Sequence, residues 1–208
     1  MSTLVLVRHA QSTTFESNSD RLSAAGEQQA ICLGQYWQAQ GIQFDDVYTG
    51  TMQRHIRTAE LAGFSSFTAK PEFNEYDARG ILRADPQYAP AADNRQLQKQ
   101  FETMMPLWIA GKLESPGVES WPAFRGRVRS GLHTIIQSEG PSRRVVVFTS
   151  GGPIGVAVQT VLQAPDHIAI EVNWRIKNCS LTEFVFTRGR ISLDTFNATP
   201  HLREVTFR

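Results

Sequence analysis

The sequence predicts an α/β fold, a three-layer domain with a mostly parallel central sheet flanked by helices. Two segments and one alternation predict it. Leu4-Val5-Leu6-Val7 and Val145-Val146-Val147-Phe148 run without polar interruption, as strands covered on both faces do. Around them, strand-like and helix-like segments alternate, which is the signature of parallel βαβ units. The 208 residues suit one domain with a sizeable core.

The elements follow in order. Thr3 to Val7 is the first strand and runs straight into Arg8-His9-Ala10. Gln11 to Asp20 is a polar loop. Ser23 can cap a helix to about Ala39, with Gly41 as its stop. Asp45 to Thr49 reads as a short strand ending at Gly50, Thr51 as the cap of a second helix to about Ala62, and Phe64 to Ala69 as a third strand. Asn74 to about Pro90 looks irregular. Arg95 to Ile109 places Leu97, Phe101, Met104, Met105 and Trp108 at helical spacing. After a break at Gly111 to Pro116, Ser120 can cap a helix from Trp121 to about Gln137. Residues 76–118 read as a cap-like insertion over one sheet edge. The strand Arg144 to Phe148 leads into Thr149-Ser150-Gly151-Gly152-Pro153 and a helix from Ile154 to Leu162. Leu181–Phe186 and Ile191–Phe196 form a hairpin across Thr187-Arg188-Gly189-Arg190, and His201–Phe207 is a last strand.

Composition bounds the function. A net charge of +1 with 20% charged residues lacks the basic footprint of a nucleic-acid binder. No apolar run reaches the length of a membrane span. The two cysteines, Cys32 and Cys179, are far apart in sequence and read as small apolar residues in a reducing compartment. With no basic leader at the N-terminus, the expected location is cytoplasmic. No clustered His/Asp/Glu pattern suggests a metal, and no Gly-x-x-x-x-Gly-Lys-Ser/Thr loop is present. No cofactor is expected, and oligomeric state is not legible.

Three βα junctions carry chemistry. Open α/β sheets bind ligands at the carboxyl ends of their strands, and Arg8-His9 closes the first strand there. A neutral imidazole can attack phosphorus while a guanidinium fork holds oxygens. The bland alternative is a strand-end pair capping carbonyls. Arg54, one turn into the second helix, leans back toward the strand ends, whereas Arg57 reads as part of a solvated face. At Ser150-Gly151-Gly152, the glycines allow close backbone approach and a helix N-terminus offers partial positive charge. Ser150 could equally be an N-cap, and Phe148 breaks the Gly-x-Ser-x-Gly pattern of a serine hydrolase.

The ordered blocks resemble the histidine phosphatase superfamily, which contains the cofactor-dependent phosphoglycerate mutases. Leu6-Val7-Arg8-His9-Ala10-Gln11-Ser12 is similar to its Arg-His-Gly/Ala signature, and Leu22-Ser23-Ala24-Ala25-Gly26 with Gln29-Ala30 to its helix start. Arg54-His55-Ile56-Arg57-Thr58-Ala59 resembles Arg-Ala-x-x-Thr-Ala. Asn74-Glu75-Tyr76-Asp77 falls where the family places an acid, and Glu119-Ser120-Trp121 with Phe124 and Arg127 resembles Glu-Ser-x-x-x-Phe-x-x-Arg. The resemblance implies a phosphoglycerate mutase-like fold and a metal-independent phosphomonoesterase with a phosphohistidine intermediate. His9 would be the nucleophile and Glu75 the proton donor, with Arg8, Arg54 and Ser150 binding phosphate. The partner would be a small phosphorylated substrate or a phosphoprotein.

Two departures qualify this. The family pattern Ser-His-Gly-Gly has a second histidine where Ser150 stands, so activity is expected to be weakened. No other histidine offers itself as a replacement, since His55 and His133 lie within helices and His167 and His201 follow the site strand. Phe15 stands where mutases carry an asparagine, which makes a mutase the least favoured reading. A non-catalytic phosphate-binding or phosphoprotein-binding member is the principal alternative. The aromatics Tyr88, Phe101, Trp108 and Trp121 could face ligand or only pack.

Overall fold

The computed structural model describes residues 1–13, 20–113, 116–137 and 142–207; Phe15 lies outside them. Its sheet has six strands: Ser2–Arg8 (β1), Asp46–Thr49 (β2), Thr68–Ala69 (β3), Arg144–Thr149 (β4), Leu181–Thr187 (β5) and Arg190–Ala198 (β6), in the order β3-β2-β4-β1-β5-β6. β3, β2, β4 and β1 are parallel to one another, and β5 and β6 join antiparallel. The two apolar strands are inner neighbours, with Leu4 opposite Val145 and Arg8 opposite Thr149. That register brings the two βα junctions, at His9 and Ser150, side by side.

Helices cover both faces. Ala24–Ala39 (α1) and Gln53–Leu61 (α2) pack on one side with Val5, Val7, Val146 and Phe148. On that side the Trp37 ring meets Phe44, Phe64 and Phe148 edge-on, 4.8–6.2 Å between centroids. The other face, with Leu4, Leu6, Val145 and Val147, is covered by Ala78–Arg83 (α3), Asn94–Ile109 (α4), Trp121–Gln137 (α5), Gly151–Val161 (α6) and His167–Asn173 (α7). Burying each such side chain stabilises by about 1.5–3 kcal/mol, and the pleat sends alternate residues into the two clusters. Among the described residues, no helix is long and apolar enough to cross a membrane.

Local signals set most boundaries. The Ser23 hydroxyl accepts from Gly26 N–H at 3.1 Å, and Gly41 follows the helix at φ +63°. Ser120 Oγ accepts from Ala123 N–H at 3.4 Å. Phe101, Trp108 and Trp121 are buried in the core, and Tyr88 packs against it; the Trp108 and Trp121 rings meet edge-on at 5.3 Å, and Phe101 meets Trp174 at 5.7 Å.

Several expectations are corrected. The stretch after Asn74 contains α3, capped by Asp77, whose side chain accepts from Gly80 N–H at 2.9 Å. The third strand shrinks to Thr68–Ala69, because Phe64 and Phe67 turn into the aromatic cluster under the sheet. α2 begins after Met52, and Thr51 supplies no cap; Asp20 does, accepting from Gln53 N–H at 2.9 Å. α7 is additional. Residues 201–207 form no strand. Their anchor is Thr206, whose Oγ1 accepts from Gln29 and Asn178 and whose carbonyl accepts from Asn178 N–H, so side chains and not a ladder hold the tail.

Candidate active site

His9 follows β1 and is 6% exposed. Its Nδ1 lies 2.8 Å from Ala10 O. A carbonyl only accepts, so Nδ1 carries the proton and Nε2 keeps its lone pair. Burial chiefly, then Arg54, Arg8 and His55, hold its pKa well below the usual imidazole range. The ring is therefore neutral at physiological pH.

Arg8 is anchored by a hydrogen bond from Nη1 to the carbonyl of Ile176 and acts electrostatically on both His9 and Glu75. Arg54 comes from the first turn of α2, and its Nη1 reaches Asp20 at 3.0 Å with 13% of the side chain exposed. Asp20 thus orients Arg54 and caps the helix that carries it. Thr58 completes the junction: its hydroxyl donates to Arg54 O at 2.6 Å and accepts from Ala10 N–H at 3.1 Å. Arg57 pairs with Glu27 and Glu60 on the exposed face.

Glu75 keeps partial exposure, but desolvation of its carboxyl is the dominant influence and raises its pKa. Bonds from Gly152 and Tyr76 N–H, and the charges of Arg54 and Arg8, oppose that rise. Gly152 N–H donates to Glu75 Oε2 at 3.1 Å. A Cβ at Gly152 would lie 2.0 Å from Glu75 Oε1, and one at Gly151 would lie 2.0 Å from Asn173 Oδ1. The glycine pair thus makes room for two side chains of the protein itself, which differs from the close ligand approach expected from sequence. Arg127 holds the loop bearing Glu75. Its Nη1 donates to the carbonyls of Pro71, Glu72 and Asn74 at 2.9–3.1 Å, and its Nε lies 2.9 Å from Glu119.

Ser150 is the N-cap residue of α6, yet its side chain makes no cap bond. Its hydroxyl lies 2.7 Å from His55 Nε2, and both residues are fully buried. The His55 ring stands 5.7 Å from that of His9, centroid to centroid. Sequence reasoning set His55 aside because it lies within a helix. As the third residue of α2 it faces the strand ends, for the same reason that Arg54 does. A Cβ at Gly50 would lie 2.2 Å from His55 Nδ1, so only glycine fits against this ring.

The structure thus gathers Arg8, His9, Arg54, Glu75 and Ser150 at one edge of the sheet, with His55 added. A neutral nucleophile beside two cations and a carboxyl whose pKa is raised by burial can accept and release a dianionic group.

Comparison with known proteins agrees on the fold. A phosphoserine phosphatase mutant from Entamoeba histolytica, in complex with phosphoserine, superposes with a TM-score of 0.71 at 18% identity, covering 97% of this chain and 100% of its own. A putative alpha-ribazole-5'-P phosphatase from Escherichia coli gives 0.71 at 17%, covering 96% and 98%. The mycobacterial glucosyl-3-phosphoglycerate phosphatase in complex with VO3 gives 0.69 at 21%, covering 95% and 100%. No curated protein matches the sequence closely enough to serve as a relative. The profile of the histidine phosphatase superfamily (branch 1) matches residues 4–199, and the chain belongs to that family.

Proposed function

We propose that the protein is a phosphomonoesterase that works through a phosphohistidine at His9. The observation that carries this reading is the tautomer of His9: Nδ1–H is committed to Ala10 O, so Nε2 keeps a lone pair among cations. In the first step Nε2 attacks phosphorus and the P–O bond to the leaving group breaks. The leaving oxygen takes the proton of Glu75. In the second step water attacks phosphorus, gives its proton to the Glu75 carboxylate, and the P–N bond breaks, releasing phosphate. Arg8 and Arg54 hold the equatorial oxygens, where charge spreads during transfer. The step uses only the side chains named. The substrate is a small phosphorylated molecule or a phosphoprotein, and residues 76–118 serve as a cap-like segment of the same domain.

The test is turnover of a panel of phosphomonoesters, with His9→Ala as control. Acid-labile, base-stable labelling of the wild type by a phosphoryl donor, lost in His9→Ala, is expected. Turnover that survives His9→Ala refutes the nucleophile. The second reading, a module that binds phosphorylated ligands without turnover, is favoured by the serine at position 150 and predicts phosphate binding with no labelling.

A further inference from the structure

The Ser150 hydroxyl is fully buried and does not cap the helix it precedes. Its one partner among the described residues is His55 Nε2, at 2.7 Å. The direction of that bond follows from the other ring nitrogen. His55 Nδ1 is buried, faces the Cα of Gly50, and has no hydrogen-bond partner among the described residues. A proton there would be fixed against the Cα of Gly50 with no way to reach an acceptor, whereas a proton on the Ser150 hydroxyl can turn about the Cβ–Oγ bond toward a ligand. The ring proton therefore sits on Nε2 and is donated to Ser150 Oγ. The hydroxyl, its acceptor side filled, must aim its own proton elsewhere. α6 does not use it. The ring that holds the hydroxyl stands 5.7 Å from that of His9, centroid to centroid, and the charges of Arg54 and Arg8 act on His9. A buried O–H whose acceptor side is taken by His55, next to a ring on which two guanidinium charges act, suits an anion.

We propose that His55 and Ser150 act as one unit, in which His55 fixes the Ser150 hydroxyl as the donor to a phosphoryl oxygen on His9. The inference rests on the phosphohistidine reading above. His55 is the positioning residue and Ser150 the contact. Neither has solvent-exposed surface without ligand, so the pair takes no part in first capture of substrate. It engages the phosphoryl group as transfer brings that group onto His9, with Oγ kept in place by His55 and only the O–H turning about the Cβ–Oγ bond. Its effect falls on kcat and not on KM. The arrangement also accounts for an imidazole arriving from α2 when the strand end carries serine. Among the described residues no carboxylate partners His55 Nδ1, so the pair lacks the third member that would make Ser150 itself a nucleophile.

The experiment compares wild type, His55→Ala, His55→Gln, Ser150→Ala, the double variant His55→Ala/Ser150→Ala and the exchange His55→Ala/Ser150→His. Three readouts are taken: p-nitrophenyl phosphate turnover, calorimetric binding of orthovanadate, and calorimetric binding of inorganic phosphate. Thermal unfolding verifies each variant. Ser150→Ala should lower kcat roughly 10²-fold, as loss of one preorganised donor does. His55→Ala should lower it about 10–100-fold, the usual range for an outer partner that orients a working group. KM and phosphate binding should stay within about threefold, while vanadate affinity falls with kcat. The double variant should be no worse than the poorer single variant. The exchange, which returns the imidazole from the strand side, should recover activity that Ser150→His alone does not, because His55 fills the space. If His55→Ala does not fold, His55→Gln carries the test through its amide N–H. Wild-type kcat and vanadate binding in His55→Ala, or single effects that multiply, would overturn the proposal. A wild type without turnover whose vanadate affinity still depends on both residues would overturn the phosphatase reading and leave the donor pair standing. A wild type that binds no vanadate would overturn both.

Discussion

Arg127→Ala tests how far the site depends on a residue that does not touch it. Nη1 of Arg127 donates to the carbonyls of Pro71, Glu72 and Asn74, and Nη2 reaches Glu75 O at 3.5 Å. Nη1 carries two protons, so these contacts amount to two full bonds from a charged donor, worth about 1.5–3 kcal/mol each. With 23% of the side chain exposed, the lower value applies. The Glu119 pair, itself partly exposed, adds at most about 1 kcal/mol. The expected loss is roughly 3–4 kcal/mol, and at about 2–4 °C per kcal/mol for a chain of this size, Tm falls by about 6–16 °C. Arg127→Lys, which keeps the charge but not the fork, should lose about half as much. Kinetics give the sharper prediction. Below the unfolding transition, a Glu75 displaced by about 1 Å costs about 10² in kcat. Calorimetry and p-nitrophenyl phosphate turnover decide it. A Tm within 2 °C of wild type, taken as roughly the shift for 1 kcal/mol, refutes the structural role. A lowered Tm with unchanged kcat refutes the link to Glu75.

Four further outcomes are expected. Gly152→Ala drives a Cβ into the Glu75 carboxyl and should lower kcat at least about tenfold, as misplacement of a reacting group does, with the fold retained by circular dichroism. Gly50→Ala presses on the His55 ring and should reproduce the kinetics of His55→Ala without removing the imidazole. Asp20→Ala should cost about 1 kcal/mol in chemical denaturation as a lost helix cap and weaken binding of inorganic phosphate, because Arg54 loses its partner. Stability should fall as pH drops. His9 and His55 have folded pKa values well below the ordinary imidazole value, and that of His201 is pushed down to about 4 by burial. Their unfolded forms take up protons first, so stability is complete above about pH 6.5 and is lost progressively on acidification toward the folded values. Tm measured from pH 7.5 to 5 should decline over that window, and His201→Gln should flatten the decline; a Tm independent of pH would refute the burial of these rings.

What the sequence disclosed depended on how local each signal is. β1 and β4 were legible because unbroken apolar runs need no partner to be recognised, and the caps at Ser23 and Ser120 because a hydroxyl three residues from an N–H is a local device. α3 and α7, six and seven residues long, are too short to show a period and rest on packing instead. The tail 201–207 alternates like a strand but is held by Gln29 and Asn178, partners that only the fold supplies. The same divide runs through the site. Arg8, His9 and Arg54 were picked out by residue type and their place at βα junctions, and Glu75 only by the family resemblance. Asp20 was not, because a loop aspartate that caps a helix beginning at Gln53 leaves no local pattern.

His55 is the instructive case, because a signal was present. A close-packed interior does not leave a lost ring's volume empty. A serine where the resemblance calls for an imidazole therefore raises a second question: which small position facing it has become large. The block at Arg54 has histidine where the pattern has alanine, one residue along from a side chain already assigned to the strand ends. Helix geometry that directs Arg54 back over the N-terminal turn directs its neighbour toward the adjacent strand end as well. Read separately, Ser150 looked like a loss and His55 an irrelevance; their contact at 2.7 Å joins them in the one unit proposed above. Substituting position 150 alone therefore tests the wrong unit. Ser150→His meets an occupied space and should lower both Tm and kcat, and only the paired exchange with His55→Ala tests whether the pocket needs an imidazole or merely a donor.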